Sequence, residues 1–218
     1  MAMPATNTNS TNKQVLTTGG KITKRTFDLV ACIAAVVILC PFWLCIGLLV
    51  ACGSKGGALY RQTRIGRNGK EFKLLKFRTM RQDADKIGGL ITVGEDSRVT
   101  RIGRFLRKYK IDELPQFLNI IKGDMSIVGP RPEVPKYVAL YNERQRQVLS
   151  VRPGLTDYAS IEYISENELL ARSSDPDRTY IEEIMPAKLE LNLKYIENQS
   201  VLEDLRLIFK TLFSILKK

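Results

Sequence analysis

An uncharged apolar run near the start of the chain constrains its fold more than any other feature. Residues 29–54, LVACIAAVVILCPFWLCIGLLVACGS, contain no charged side chain and are too long for the apolar region of a secretory signal. Pro41 lies close to the middle, where it removes a backbone hydrogen bond and is expected to bend or break a helix. We therefore expect a membrane segment that the mature protein retains.

Two membrane arrangements fit this run. One is a kinked helix that spans the bilayer, and the other is a helix, break and helix that enter and leave by the same face. Residues 29–40 and 42–52 would each rise only about 16 to 18 Å as helix, short of a hydrocarbon core of roughly 30 Å. Basic residues flank both ends, and the positive-inside rule favours the cytoplasm for both. We therefore favour a re-entrant helix broken at Pro41.

The net charge of +11 is concentrated in one part of the chain. Residues 55–110 carry +11, whereas residues 1–54 carry +3 and residues 111–218 carry −3. Such a block favours a polyanionic partner, whether phosphate, nucleic acid or lipid headgroups. The chain has no histidine, so any metal is expected to be a hard cation bound through oxygen. The four cysteines all lie in the apolar run without CxxC spacing, which disfavours zinc and disulfides.

The basic segment begins with a predicted β-hairpin. Residues 58–80, ALYRQTRIGRNGKEFKLLKFRTM, alternate apolar and polar residues on both sides of Asn68-Gly69, which favours a tight turn. Most of its cations are expected to form a solvated, membrane-facing surface. Lys76 and Arg78, next to Phe77, are the better candidates to turn inward toward a bound phosphate.

A second basic element follows at residues 100–110, TRIGRFLRKYK. Its apolar residues share one helical face, which predicts an amphipathic helix that packs on the domain or lies on anionic lipid. These apolar residues are Ile102, Phe105, Leu106 and Tyr109. Among the basic residues around the rest of the helix, Arg107 is a further candidate for phosphate binding.

Two adjacent acids, Asp112 and Glu113, precede a predicted core-facing helix that ends at Gly123. The apolar positions of that helix are Leu114, Phe117, Leu118 and Ile121. An acid at a helix start is commonly a cap, kept ionised by free amides and the helix dipole. Neighbouring positions point in different directions, so the pair is not expected to share one proton. Separate roles suit them better, one attacking phosphorus to form an acyl phosphate and the other holding Mg²⁺.

A proline-rich segment, MSIVGPRPEVP at residues 125–135, follows the acidic pair. Its three prolines are expected to keep it stiff and extended, which would hold Arg131 in a fixed direction. An ordinary rigid turn with a solvent-facing arginine would have the same sequence. The closeness of the acidic pair favours a functional role for Arg131.

Together these motifs closely resemble the bacterial sugar transferases, the monotopic phosphoglycosyl transferases of the polyprenyl-phosphate type. The resemblance runs from about Lys24 to Thr156 and includes KRTFD, RIGRNGKEFKLLKFRTM, TRIGRFLRK, DELPQFLNIIKGDMSIVGPRPE and VRPGLT. It implies that Asp112 attacks the β-phosphate of a nucleotide diphosphate sugar, usually a UDP-sugar, and that UMP leaves. The sugar phosphate would then pass to a polyprenyl phosphate such as undecaprenyl phosphate.

The resemblance also implies residue roles and a location. Glu113 would be a Mg²⁺ ligand, with Asp112 beside the ion, and Arg131 would engage phosphate. The protein would lie in the bacterial inner membrane, with its catalytic domain in the cytoplasm and its helix broken at Cys40-Pro41. Membrane lipids would be partners, nucleic acid would not, and a homo-oligomer is compatible. Beyond Gly154 the sequence GLTDYASIEYISENELL departs from the family pattern, so the residues that recognise nucleotide and sugar cannot be carried over.

The expected architecture is an α+β, mostly helical fold in three parts. Residues 1–20 form a polar leader expected to be disordered, residues 21–54 the re-entrant helix, and residues 55–218 the catalytic domain. A final amphipathic helix would pack on the domain or lie in the membrane interface, and we favour the interface. Its apolar stripe comprises Leu205, Ile208, Phe209, Leu212, Phe213 and Leu216.

A different class of function is also compatible with the charge pattern. The chain would then be a membrane-anchored basic protein that binds nucleic acid or lipid without catalysis. Such a protein would bind nucleic acid tightly, with a steep dependence on salt. The sequence disfavours this alternative because aromatic residues are not interleaved with the basic run as stacking platforms.

Overall fold

The computed structural model describes residues 18–53, 56–87, 89, 91–94 and 96–217, so most of the predicted leader lies outside the described residues. The helices are α1 (Thr18–Gly53), α2 (Ala84–Ile87), α3 (Arg101–Lys108), α4 (Gln116–Lys122), α5 (Pro135–Val138), α6 (Glu143–Arg146), α7 (Tyr158–Glu162), α8 (Glu166–Ala171), α9 (Pro176–Thr179), α10 (Met185–Glu197) and α11 (Val201–Leu216). The strands are β1 (Leu59–Ile65), β2 (Glu71–Phe77), β3 (Ser126–Val128) and β4 (Gly154–Thr156). The fold is mostly helical with two small sheets, as the α+β prediction expected.

The apolar run forms one continuous helix, α1, that contains Pro41. The predicted division into two separate helices is therefore not seen. An interior proline removes one backbone hydrogen bond, but a helix can continue through it with a bend at that point. The helix begins at Thr18, three residues before the predicted boundary at residue 21. By length and composition alone, α1 is apolar enough to cross a membrane.

Both sides of Pro41 pack against the same domain. Before the proline, Cys32 is buried in a cluster that includes Ile120. After it, Val50 is buried in a cluster that includes Phe77. The domain therefore fixes both halves of α1.

The KRTFD motif docks the first part of α1 onto the domain through three charged side chains. Lys24 donates to the carboxylate of Asp204 in α11 at 2.6 Å. Arg25 donates to two backbone carbonyls near the end of α4 at 2.8 and 3.2 Å. Asp28 is buried and accepts a hydrogen bond from the Ser126 hydroxyl at 2.7 Å. The motif is thus explained by packing of the membrane helix on the domain.

The predicted β-hairpin is confirmed. Strands β1 and β2 pair antiparallel, and the connection contains Asn68 with φ +57° and Gly69 with φ +77°. Both residues therefore adopt the left-handed conformation that this turn dipeptide favours. The hairpin presents Lys76, near the end of β2, toward the acidic pair.

Helix α4 packs on the hairpin, and three of the four predicted core residues, Leu114, Phe117 and Ile121, are partly buried against the core. Ile120 and Asn119 are buried, whereas the predicted core residue Leu118 is 39% exposed. The Asn119 amide donates to a backbone carbonyl of β2 at 2.9 Å and accepts from a backbone N–H of that strand at 3.0 Å. A buried polar residue thus satisfies the free edge of the strand, which an apolar pattern cannot reveal. The helix ends at Gly123, with φ +99°, as predicted.

Helix α3 is amphipathic, but its apolar residues do not share one environment. The Thr100 hydroxyl caps it by accepting from the backbone N–H of Gly103 at 2.9 Å. Leu106 is buried, whereas Phe105 is 56% and Tyr109 is 40% exposed. The predicted single apolar face is therefore divided between the core and the surface.

The parallel pair β3 and β4 positions the proline-rich segment. Ser126 lies opposite Gly154 in the register, and Gly129 follows β3 directly. A Cβ atom on Gly154 would lie 2.1 Å from the backbone nitrogen of Gly129, so only glycine permits this approach. The close contact fixes the point at which the segment carrying Arg131 leaves the sheet.

Helices α7 to α11 complete the domain. Leu207 and Asp204 of α11 are buried, whereas the apolar stripe predicted from the sequence lies mostly on the surface. Its exposed members are Phe209, Leu212, Phe213 and Leu216. Ile208 packs on the domain, but most of the stripe does not, and the alternative expectation, contact with the membrane interface, stays a prediction.

Candidate active site

A cavity of about 280 Å³ opens between β2, the Ile111–Glu113 turn, the segment after β3 and helices α7, α8 and α10. Among the described residues, six basic and four acidic side chains line this cavity. They are Arg64, Lys76, Arg107, Lys110, Arg131, Lys188, Asp112, Glu113, Glu133 and Glu166. The structure thus brings together five of the six predicted site residues. Arg78 does not line this cavity.

Glu113 forms hydrogen bonds with two of the basic side chains that line the cavity. Its buried carboxylate accepts a hydrogen bond from the Lys76 ammonium at 3.1 Å. It also accepts from both terminal nitrogens of Arg131, one of them at 3.3 Å. Burial on its own would raise the pKa of Glu113, but the charges of Arg131, Lys76 and Lys110 outweigh it and hold that pKa well below its ordinary value. Glu113 is therefore a carboxylate that stays ionised.

Asp112 has the opposite environment, although it is the next residue. Its side chain is 5% exposed, and its Oδ1 atom has no hydrogen-bond partner among the described residues. Burial raises the pKa of Asp112 against the opposing charge of Lys76, and the neighbouring Glu113 charge raises it further. Glu113 thus has hydrogen-bond partners for its carboxylate, whereas Asp112 is buried and its Oδ1 atom has no partner among the described residues.

The expected capping role of the pair is wrong. Asp112 and Glu113 lie in a short 3₁₀ turn, Ile111–Glu113, and α4 begins only at Gln116, preceded by Pro115. No side chain caps either element. The free amides of α4 therefore do not keep Asp112 ionised, and burial shifts its pKa in the direction opposite to that which a cap would give.

Lys110 forces the sharp turn that separates α3 from the acidic pair. Its φ of +56° is left-handed, a conformation that non-glycine residues adopt rarely and at a cost of about 1 to 3 kcal/mol. Such strain is typical of sites where the backbone must present side chains in a set direction. Lys110 also lines the cavity beside the two acids that the turn presents.

Arg131 is fixed through its backbone N–H as well as through the contact of its side chain with Glu113. Its N–H donates to the carboxylate of Asp157 at 3.1 Å, and the same carboxylate accepts from the N–H of Ser160 at 2.6 Å. Asp157 is fully buried and lies directly after β4. Sequence reasoning missed it because it lies where the chain departs from the family pattern. An acid placed directly before helix α7 was the available signal.

Lys76 reaches the cavity, as predicted, and Arg107, the candidate from α3, also lines it. Burial lowers the pKa of Lys76, and the Glu113 charge opposes that shift. Arg107 donates to the hydroxyl of Thr79 at 2.8 Å and to that of Thr92 at 3.4 Å, so it makes no ion pair among the described residues. Arg107, one of the basic residues around the polar side of α3, thus turns inward toward the cavity.

Arg78 serves a different purpose from its neighbour Lys76. Its guanidinium donates to the backbone carbonyls of Gly57 at 3.1 Å and Gly56 at 2.8 Å. It also lies over the ring of Tyr60, 5.8 Å from the ring centre. Arg78 therefore fixes the loop that follows α1, and its predicted contact with phosphate stays a prediction.

The far wall of the cavity contains a second buried ion pair that the sequence did not suggest. Arg64 donates to Glu133 at 2.9 Å, and the hydroxyl of Tyr180 donates to the same carboxylate. Tyr180 begins a π-helical turn, Tyr180–Ile184, which continues into α10. Such turns are frequent at functional sites. This wall also carries Lys188, which pairs with Glu166 at 2.7 Å.

The acids fit a magnesium ion only in part. Among the described residues, no group of three or more histidine, cysteine or acidic side chains could hold a metal. Asp112 Oδ1 is an unpartnered oxygen, and Glu113 would have to share its carboxylate with Arg131 and Lys76. Mg²⁺ is commonly bound by one or two carboxylates together with substrate phosphates and water. The residues therefore fit an ion that arrives with a phosphate-bearing substrate.

Comparison with known proteins gives consistent matches over nearly the whole chain. The sequence profile of a family described as bacterial sugar transferase matches residues 19–218. The exopolysaccharide production protein ExoY of Sinorhizobium fredii (strain NBRC 101917 / NGR234) is 37% identical over 208 residues, covering 88% of this chain and 85% of that protein.

Two larger relatives have names that describe a reaction. The UDP-N-acetylgalactosamine-undecaprenyl-phosphate N-acetylgalactosaminephosphotransferase of Aeromonas hydrophila is 35% identical over 198 residues, covering 88% of this chain and 43% of that protein. The UDP-glucose:undecaprenyl-phosphate glucose-1-phosphate transferase of Escherichia coli (strain K12) is 37% identical over 202 residues, covering 88% of this chain and 40% of that protein. The match thus spans less than half the length of each of these two relatives.

Proposed function

The chain belongs to the bacterial sugar transferase family, and we propose that it transfers a sugar 1-phosphate from a UDP-sugar to undecaprenyl phosphate. The observation that carries this proposal is the unpartnered, buried oxygen of Asp112 in a cavity lined by six basic side chains. A desolvated nucleophile among preorganised cations suits phosphoryl transfer, in which positioning and charge neutralisation provide most of the catalysis. The names of the two larger relatives support the same class of reaction.

The proposed reaction has two displacements at one phosphorus atom. In the first, a carboxylate oxygen of Asp112 bonds to the β-phosphorus, the bond to the oxygen of the α-phosphate breaks, and UMP leaves with the electron pair. In the second, a phosphate oxygen of the acceptor attacks the same phosphorus, and the bond to Asp112 breaks. The carboxylate is thereby regenerated, and the product is a lipid-linked sugar diphosphate. An acyl phosphate stays reactive, so the second step needs no further energy source.

Glu113 acts in this scheme by positioning its two cations. Arg131 and Lys76 each use part of their donors on Glu113, and their side chains are still 29% and 21% exposed. Their remaining N–H groups are therefore available to substrate phosphates. A Mg²⁺ ion held by Glu113 and Asp112 would supply further neutralisation of the diphosphate. The raised pKa of Asp112 makes its ionised form more basic and hence a better nucleophile than an exposed aspartate.

The test is UMP release from a panel of UDP-sugars, measured with and without undecaprenyl phosphate. One sugar is expected to give turnover with the acceptor and a single burst of UMP without it, with the sugar label retained on the denatured protein. Asp112→Asn is expected to abolish both. Asp83→Asn is the matched control, because Asp83 is exposed and lies outside the cavity. Turnover in Asp112→Asn would overturn the proposal, and tight nucleic-acid binding without turnover would favour the non-catalytic alternative.

We also propose that α1 is re-entrant through a bend at Pro41 and that the domain lies on the cytoplasmic face of the inner membrane, which the basic residues at both ends of the apolar run support. Cys32 and Trp43 both pack on the domain, and only residues 33–42 separate them. Ten helical residues rise about 15 Å, half of a hydrocarbon core of roughly 30 Å. This distance supports entry and exit by one face.

Labelling of added cysteines tests the topology. Lys21→Cys and Arg67→Cys place exposed thiols on the two sides of the apolar run. Both are expected to react with an impermeant maleimide in inverted membrane vesicles and neither in right-side-out vesicles, after subtraction of the signal of the parent chain. Reaction of the two sites from opposite sides would mean that α1 spans the bilayer.

A further inference from the structure

A second cavity, of about 510 Å³, lies beside the first and differs from it in charge. Among the described residues, all eight charged side chains that line it are arginine or lysine. We call it the arginine groove. It shares three cations with the Asp112 cavity, Arg64, Lys76 and Arg107, so the two spaces meet at these side chains.

Several cations of the arginine groove lack a carboxylate partner among the described residues. Arg78 donates to backbone carbonyls, and Arg107 donates to threonine hydroxyls. Arg61 and Arg81 are exposed on the rim. Uncompensated positive charge in a concave surface focuses the electrostatic field and attracts anions. The groove therefore suits a phosphate monoester, which carries a charge close to −2 at neutral pH.

The position of the groove relates it to the membrane segment. Arg78 holds the Gly56–Gly57 loop, which begins three residues after α1 ends at Gly53. Near this end of the groove, Leu59, whose carbonyl accepts a hydrogen bond from Arg78, exposes 38% of its surface. One end of the groove thus lies next to the apolar helix, and the other opens on Asp112. A phosphate carried by a membrane lipid fits this path better than a phosphate carried by a soluble nucleotide.

We propose that the arginine groove binds the phosphate of the polyprenyl phosphate acceptor and delivers it to the Asp112 phosphosugar. This inference rests on the proposed function. Arg107 and Lys76, at the junction, would contact the acceptor phosphate when its oxygen attacks the phosphorus and the bond to Asp112 breaks. The nucleotide part of the donor would lie in the part of the Asp112 cavity that the groove does not share, near Tyr180 and Lys188.

The test separates the two half-reactions in neutral detergent micelles, which contain no anionic lipid. The variant is Arg61→Gln/Arg81→Gln, two rim cations that do not line the Asp112 cavity. Its KM for undecaprenyl phosphate is expected to rise about threefold to tenfold, as for the loss of two solvent-exposed ion pairs to phosphate. The burst of UMP without acceptor, and inhibition by added UMP, are expected to be unchanged. Arg146→Gln, an exposed arginine outside both cavities, is the control for net charge.

An unchanged KM for the acceptor would overturn the inference. A weaker UMP burst or weaker inhibition by UMP would overturn it as well, because the groove would then serve the nucleotide phosphate. A wild-type protein that gives no UMP burst would instead refute the proposed function, so the two failures are distinguishable. Circular dichroism before and after each assay excludes loss of fold as the cause of a raised KM.

Discussion

Neutralising the two adjacent acids is expected to change stability in opposite directions. Asp112→Asn removes a buried charge whose Oδ1 has no partner among the described residues. Glu113→Gln removes a buried charge that two cations share, Arg131 and Lys76. The substitutions are matched in size and chemistry and are one residue apart. The first should stabilise the protein at neutral pH, and the second should destabilise it.

The magnitudes follow from the contacts. Leaving a buried polar group unsatisfied costs about 1 to 3 kcal/mol, so Asp112→Asn should gain about 2 kcal/mol. Removing one partner of a buried ion pair costs about 3 to 5 kcal/mol, and glutamine keeps some hydrogen bonding, so Glu113→Gln should lose about 3 kcal/mol. At roughly 2 to 4 °C per kcal/mol for a chain of this length, Tm should rise by about 4 to 8 °C and fall by about 6 to 12 °C, respectively.

The pH dependence of the two effects should differ as well. The folded-state pKa of Asp112 is raised above its ordinary value of 3.8, so its penalty is absent below 3.8 and grows as pH rises through the folded pKa. The pKa of Glu113 is lowered below its ordinary value of 4.5, so its contribution is present above 4.5 and lost as pH falls through the folded pKa. On acidification toward pH 4.5, the gain from Asp112→Asn should therefore shrink while the loss from Glu113→Gln persists.

Thermal unfolding of the purified protein in detergent, followed by circular dichroism at several pH values, measures both effects. The Asp83→Asn variant reports the effect of removing an exposed acid. Two shifts of the same sign would refute the reasoning, because they would mean that the cations satisfy both acids equally. A gain from Asp112→Asn that does not change with pH would also contradict it.

Three further predictions address the site and its support. Single-turnover UMP release should fall as pH is lowered, with a midpoint above 3.8, because burial raises the pKa of Asp112 and the reaction needs its ionised form; a midpoint at or below 3.8 would argue against this carboxylate. Gly154→Ala should destabilise the fold by about 1 to 3 kcal/mol in thermal unfolding, because the added Cβ would lie 2.1 Å from a backbone nitrogen. Gly47→Ala is the control and should not destabilise the fold, because its Cβ would make an ordinary contact at 3.8 Å. Asp157→Ala should lower kcat about tenfold to a hundredfold, because the backbone of Arg131 loses its hydrogen-bond acceptor. Asp157→Asn keeps one acceptor oxygen and should recover part of the lost kcat. Equal kcat values in the two variants would count against a positioning role for Asp157.

Short sequence patterns correctly predicted the elements whose conformation depends on neighbouring residues alone. Asn68-Gly69 specifies the hairpin because both residues tolerate positive φ, and Gly123 ends α4 for the same reason. The basic charge of residues 55–110 and the acids at 112 and 113 correctly indicated where the cavity lies. These signals need no knowledge of distant contacts.

Predictions failed where a distant contact overrides the local pattern. Asn119 is buried because it completes the edge of β2, so the apolar period of α4 misplaced Leu118. Arg107 turns inward to two threonines that lie 28 and 15 residues earlier in the chain. Asp157 meets Arg131 only because β3 and β4 pair across a long connection. None of these partners can be read from neighbouring residues.

The charge balance of the cavity explains why two acids are adjacent and yet differ. With all ten charged lining groups ionised, six cations face four carboxylates and leave a surplus of two positive charges. A nucleotide diphosphate sugar carries one negative charge on each of its two phosphates, so donor binding would bring the cavity close to neutrality. Glu113 takes two of the cations and fixes them in place, which leaves Asp112 desolvated and without a partner of its own. Replacing Glu113 by a neutral residue would release those cations to pair with Asp112, so the stability of the site and the reactivity of its nucleophile depend on the same carboxylate.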